Sequence, residues 1–117
     1  MSKTISVTVE QSGSEQDYRD LYSGFIRLHV LHHAALEKVF GLGLIEELRR
    51  HGYRISPGSL YPMLHSMEER GYLRSTVAVD GRSRRKEYSA TPVGKRALRV
   101  AKKRINELFR ELVEEAK

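Results

Sequence analysis

The chain has no cysteine, no tryptophan and only three prolines among its 117 residues. Without cysteine there is no disulfide and no thiolate metal site, which fits a reducing compartment. No apolar run approaches the roughly 18 residues that a membrane-spanning helix needs. The opening MSKTISVTVEQ has neither an apolar h-region nor a small-residue cleavage site, which argues against secretion and for a cytoplasmic location. Catalytic patterns are missing as well. No Ser-His-acid order, glycine-rich phosphate loop or pair of inward carboxylates stands out, so an enzyme is not expected.

What is present is positive charge. With 39% hydrophobic and 31% charged residues the composition is that of a globular chain, long enough for one small domain or a domain with an appendage. A net charge of +6 and a pI near 9.8 point toward a polyanionic partner. The charge is uneven. Residues 1–17 sum to −2, whereas residues 91–117 hold eight basic and four acidic groups. The densest basic clusters are RSRRK at 82–86 and KRALRVAKKR at 95–104.

The segment TISVTVEQ alternates β-branched with polar residues, as a strand does, and SGSEQD after it is a flexible polar link. Residues 1–17 are therefore read as an extension, either a strand in need of a partner edge or an unordered tail. A helix is expected over about residues 18–39, with Leu21, Phe25, Leu28 and His32 in one stripe and Tyr22, Ile26 and His29 beside it. Gly41 and Gly43 punctuate the chain, and a shorter helix follows with Leu44, Ile45 and Leu48 inward. Gly52 ends it in a left-handed C-cap conformation.

ISPGSLYPMLHSMEERGYL, residues 55–73, reads as a further helix. Leu60, Met63, Leu64 and Met67 fall at i, i+3, i+4 and i+7, one buried stripe. Ser56 is placed as an N-cap and Pro57 suits the first helical position. Pro62 either interrupts the second turn, releasing the Gly58 carbonyl, or falls in the first turn of a helix that starts at Ser59. Gly71 closes the helix. In the next stretch Asp80-Gly81 is a two-residue turn signal that pairs Arg74 with Glu87 and Leu73 with Tyr88. Thr91-Pro92 then caps a last helix that reaches about Glu115.

The expected fold is thus mostly α with a small β-hairpin wing: three helices, a hairpin and a long helix. A helix-turn-helix presents its second helix to the DNA major groove, and a hairpin directly after that helix is the wing of a winged helix. This gives the helix at 57–70 a reason for its rigid, small outer face of Ser59, Pro62, His65, Ser66 and Glu69. Ser59, His65 and Ser66 can be solvated positions, or they can reach base edges and phosphates. RSRRK can be a solvated hairpin tip, but four cations in five residues beside a recognition helix favour phosphate binding.

SPGSLYPMLHSMEERGYL, the basic hairpin ending in RRKEYSAT, and TPVGKRAL together resemble the PadR family of transcriptional regulators. The resemblance spans about residues 21–115, and SPGSLYP is its most specific part. It implies a dimeric winged-helix protein, most often a repressor, whose C-terminal helix carries dimerisation; the single short helix here is similar to the small-protein branch. It also implies that Tyr61 donates its phenol to DNA instead of merely flanking the core. Family members often have His-Gly-Tyr where this chain has Gly41-Leu42-Gly43. Lacking tryptophan, the chain offers no effector pocket of stacked tryptophans, although an unidentified small-molecule effector stays open. On this reading Ser56, Ser59, Tyr61, Pro62, His65, Ser66, Arg82, Arg84, Arg85 and Lys86 form the DNA-contacting set. Residues 18–90 form the DNA-binding domain and 91–117 the dimerisation helix.

Leu98, Ala101, Ile105, Leu108 and Leu112 step by three and four along the last helix, the spacing of a helix–helix seam, and Phe109 widens it. With Leu21, Phe25 and Leu28 these residues are the expected subunit contact of a homodimer. His29, His32 and His33 could share a helical face and bind zinc or nickel. Only Glu37 is at hand locally to complete a ligand set, so packing histidines are the preferred reading, with no metal or other cofactor expected.

Overall fold

The structure, a computed structural model, describes residues 18–115. The anticipated N-terminal strand lies outside them. Helix α1 spans Arg19–Leu36 and carries two apolar rows. Ile26, Val30, Leu31 and Ala34 are the buried row. In the row of Leu21, Phe25, Leu28 and His32, read from sequence as the main stripe, Leu21 is 72% exposed and Phe25 and His32 are open to solvent, while Leu28 is half-buried against the core. Periodicity finds an apolar row but does not say which of two neighbouring rows meets the core.

The helix stops three residues before its expected end. Glu37 is extended at φ −161° and ψ 169°, while its N–H still donates to the His33 carbonyl at 3.1 Å. The chain then forms a two-residue strand, β1 (Val39–Phe40), which the sequence reading did not anticipate. Helix α2 (Gly41–Arg50) follows directly and buries Leu44 and Leu48. Gly41 and Gly43, expected to break the chain ahead of this helix, lie within its first turn.

Helix α3 covers Pro57–Glu69, so the first of the two possible starts is the one adopted and Pro62 stands inside the helix. Leu60, Met63, Leu64 and Met67 are its buried face, as their spacing predicts. Ser56 is the N-cap residue, but its hydroxyl makes no capping bond; it lies 3.5 Å from the Ser59 hydroxyl. The C-terminus closes as expected at Gly71, whose φ of +83° favours glycine. The Gly71 N–H donates to the Glu68 carbonyl at 2.9 Å and the Tyr72 N–H to the Met67 carbonyl at 3.0 Å. These two bonds make a Schellman motif. The end of α2 repeats it at Gly52.

Strands β2 (Leu73–Asp80) and β3 (Ser83–Ala90) form the hairpin, and β3 is central in an antiparallel sheet ordered β1-β3-β2. The register differs from the one inferred from sequence. Leu73 pairs with Ala90, Arg74 with Ser89 and Thr76 with Glu87, so the turn residues are Gly81 and Arg82. Gly81 has φ +62°, and Arg82, like every described non-glycine residue, has negative φ. A positive φ at the first turn position alone defines the type II′ hairpin, which wants glycine there. An Asp80-Gly81 turn of type I′ would instead force Asp80 into the left-handed region. The slip is two residues, so each side chain keeps its expected face.

Helix α4 (Pro92–Phe109) starts where α3 ends. The Thr91 hydroxyl accepts from the Gly94 N–H at 3.0 Å and donates to the Gly71 carbonyl. The Thr91 N–H donates to the Tyr72 carbonyl at 3.0 Å. One residue thus caps α4 and ties it to the turn that closes α3. Beyond Phe109 the helix widens into a π-helical turn, Arg110–Glu114. Leu64 is wholly buried in the core, whereas Thr91 is half-buried at a helix end. Leu64→Ala should cost about 2–5 kcal/mol and Thr91→Val about 0.5–2 kcal/mol, a ranking that chemical denaturation checks.

Candidate nucleic-acid interface

The buried row of α3 dictates what points outward. With Leu60 and Leu64 at 0% exposure, Tyr61, Pro62 and His65 must lie on the open side, and all three are exposed. Ser59 and Ser66 are half-buried at the edges of that face. Tyr61 is held from below. A Cβ at Gly41 would collide with its ring and hydroxyl, so the bare glycine at the start of α2 is what lets the phenol lie there. The His65 Nε2 sits 3.4 Å from Glu69 Oε2 one turn on.

Ser56 and the N-terminus of α3 open onto a cleft of about 450 Å³ that Arg49, Tyr53 and Arg54 also line. Two arginines beside a helix N-terminus make a favourable place for an anion. The sequence reading did not single out Arg49 or Arg54. Their signal was weak, because they belong to different elements and meet only through the turn at Gly52.

Strand alternation divides the wing cations. Arg84 and Lys86 share a face with Val77, Val79 and Tyr88, whereas Arg85 and Glu87 lie on the other. Lys86 Nζ stands 4.0 Å from Glu68 Oε1 on α3 and 5.9 Å from the Tyr88 ring centroid. Glu68 also accepts from the Ser75 hydroxyl at 2.7 Å, so this carboxylate joins α3 to the wing. Arg85 lies over the Phe40 ring of β1 at 3.9 Å and pairs with Glu87 at 3.3 Å. Among the described residues Arg82 and Arg84 have no such partner. Val77 and Val79 are exposed beside Arg84, an apolar strip on the wing that the sequence reading passed over.

The other candidate surface is apolar. Phe25 and Leu28 of α1 meet Leu98 and Ile105 of α4 around a cleft of about 380 Å³, which His29, His32, Tyr53 and Lys102 complete. Leu98, expected in the intersubunit seam, is 7% exposed and belongs to the core of its own chain. Ala101 is half-buried, and from Ile105 onward Leu108, Phe109, Leu112 and Val113 are open to solvent.

α1 and α2 also gather histidines. His29, His33 and His51 converge, with one ring nitrogen of each within 4.8 Å of the others. His32 is turned outward, and Glu47, not Glu37, is the carboxylate beside the group. His51 is 18 residues beyond His33 and is brought in only by the packing of α2, so spacing could not reveal it.

A second helix of a helix-turn-helix followed by a hairpin with a third strand beside it defines a winged helix. A family model described as transcriptional regulator PadR-like matches residues 30–100. The chain is 50% identical over 96 residues to the transcriptional regulator Rv3488 of Mycobacterium tuberculosis, covering 81% of this chain and 89% of that one. It resembles the crystal structure of a PadR family transcriptional regulator from Eggerthella lenta DSM 2243 with 27% identity and a TM-score of 0.75, over 87% of this chain and 90% of that one. It shares its fold with the PadR-like regulator BC4206 of Bacillus cereus, at 24% identity and a TM-score of 0.76, over 84% and 97% of the two chains. The chain belongs to the PadR-like family of transcriptional regulators, which are not enzymes. No helix among the described residues is long and apolar enough to cross a membrane.

The histidine group has a measurable consequence. Burial, and then the neighbouring His51, His33 and His32, push the His29 pKa below its ordinary value of 6.5. The folded chain therefore binds fewer protons here than the unfolded chain, and stability is lost as pH falls through 6.5 and below. Thermal unfolding followed between neutral and mildly acidic pH should show a falling midpoint, and His29→Gln should flatten that dependence.

Proposed function

We propose that this protein is a homodimeric regulator that binds an inverted-repeat operator in double-stranded DNA, with repression by occupying a promoter as its mode of action. The observation that carries the reading is the outer face of α3, small, polar and rigid, flanked by a wing with two uncommitted arginines. Residues 18–90 form the DNA-binding unit and residues 91–117 the dimerisation helix. Tyr61, Pro62 and His65, with Ser59 and Ser66 at the edges, face the major groove, and Ser56 lies against the backbone where α3 begins. The wing supplies phosphate contacts from Arg82 and Arg84. Arg85 and Lys86 contribute after exchanging their intramolecular partners, or act mainly by holding the wing against β1 and α3.

Homodimerisation rests on the apolar surplus of α1 and α4. Phe25 and Leu28 meet Ile105 in one cleft, and Leu21, Leu108, Phe109 and Leu112 are further exposed apolar side chains on the same two helices, the kind of surface that marks a subunit contact. A two-fold axis through that face would set the two copies of α3 on successive turns of one duplex face.

Binding-site selection with the purified chain tests the function, and a two-fold symmetric motif is the expected result. Arg82→Ala with Arg84→Ala should weaken all sequences alike and reduce the salt dependence by about one unit of slope for each phosphate that is no longer neutralised. Leu108→Asp with Leu112→Asp places unpaired charge in the proposed seam. Sedimentation should then give a monomer, with operator affinity down by about 100-fold or more because the second half-site no longer adds its effective concentration.

A further inference from the structure

Three of the five histidines in this chain converge on one point between α1 and α2. His29 and His33 are one turn apart on α1 and share a face. His51 is the C-cap residue of α2, held in place by the Schellman turn at Gly52. One ligating nitrogen from each lies within 4.8 Å of the other two. Glu47, one turn before His51, brings Oε2 to 3.4 Å from His51 Nε2 and 3.7 Å from His33 Nε2. Its other oxygen accepts from the Arg50 guanidinium at 2.9 Å, which fixes the carboxylate's orientation.

In a tetrahedral site with metal–ligand bonds of about 2.0–2.1 Å, neighbouring ligand atoms stand about 3.3–3.4 Å apart. The carboxylate is already close to that spacing from two imidazoles. The imidazoles need to close by at most about 1.5 Å, and the His29 and His51 rings, stacked at 4.6 Å with 26° between their planes, must also turn so that their in-plane lone pairs meet at the ion. We propose that His29, His33 and His51, with Glu47 as the fourth ligand, bind one divalent transition-metal ion of the zinc class per chain. Three imidazoles and a carboxylate with no thiolate suit zinc, cobalt or nickel. Arg50 acts as the outer partner that orients the carboxylate.

The ion would join the helix that carries the Leu21–Phe25–Leu28 row to the helix on which α3 is braced. This consequence, unlike the site itself, rests on the DNA-binding reading.

The test uses the untagged full-length chain, stripped with a chelator and titrated with cobalt(II) alone. The expected result is the intense visible d–d absorption of tetrahedral cobalt, saturating at one ion per chain and abolished when zinc is added. His33→Ala and His51→Ala, with their fold checked by circular dichroism, should each weaken binding by about 100-fold or more, while His32→Ala and His65→Ala leave it unchanged. Weak octahedral absorption in the wild-type chain would overturn the proposal, and so would tetrahedral binding that survives in both His33→Ala and His51→Ala. The wild-type spectrum decides the first point even if a variant fails to fold. Neither readout involves DNA, so failure here is separate from failure of the regulator reading.

Discussion

Leu60 and Leu64 lie one turn apart on α3, both wholly buried, and together they fix the rotation of the helix about its own axis. Because successive residues are about 100° apart around an α-helix, a helix with a pinned inner row has no choice about its outer one. Tyr61, Pro62 and His65 face outward for this reason, and the packing of Tyr61 on Gly41 and of His65 beside Glu69 only settles where their rings lie. The same constraint explains how Pro62 is tolerated. The backbone bond it forgoes lies near the start of the helix, and its ring occupies the exposed side, where no core side chain is displaced. At the other end, the Schellman turn at Gly71 delivers the chain into β2, and Thr91 locks that turn to α4. The orientation of α3 is thereby coupled to the direction in which α4 leaves the domain.

The wing is placed by a similar economy of contacts. Glu68 projects from α3 and receives the Ser75 hydroxyl and the Lys86 ammonium, both from the hairpin. On the opposite sheet face Phe40 of the short β1 accepts the Arg85 guanidinium. These pairs are partly exposed, and each is worth little alone. They act from both faces of a hairpin whose far end is open, so their combined effect is on geometry more than on stability. Arg82 and Arg84 are left at the tip. That division follows from the two-residue period of a strand and from Glu68 and Glu87 each claiming one neighbour.

Much of this was legible in the order of residues. The α3 stripe, its proline near the start, the glycine that ends it and the threonine that caps α4 are local signals, and local signals survive folding. The misread features are non-local or lie below the resolution of a pattern. Strand β1 is two residues long and exists because β3 offers it an edge. The hairpin register differs by two residues: Gly81 alone takes the positive φ of its turn, and the cross-strand charge pair between Arg74 and Glu87, a contact worth at most about 1 kcal/mol, is not formed. Two apolar rows on α1 are equivalent until α4, β3 and α2 pack against one of them. His51 and Glu47 reach His33 only through the packing of α2 on α1. The residues proposed to contact DNA were marked mainly by the family resemblance, since exposure and polarity alone suit solvent as well as a groove.

Helix α4 joins the core of the chain to the apolar seam beyond it. Its first half belongs to the domain: Leu98 is buried, and Gly94 passes so close to the Tyr72 carbonyl that no Cβ would fit. In its second half Ile105 still meets Phe25 and Leu28 of α1, and beyond it Leu108 and Leu112 continue the seam into solvent. A helix of 18 residues spans about 27 Å, enough to anchor one end and present the other. Of the cations of the 95–104 cluster, Lys102 reaches the apolar cleft beside Phe25, Leu28, Leu98 and Ile105, while Lys95, Arg96, Arg99, Lys103 and Arg104 are exposed. In the proposed dimer the seam positions Ile105, Leu108 and Leu112 add no charge to the contact, and most of the +6 of each chain lies outside it. The repulsion between subunits is instead spread over exposed surface, where salt screens it and where a polyanion binding both half-sites would reverse its sign.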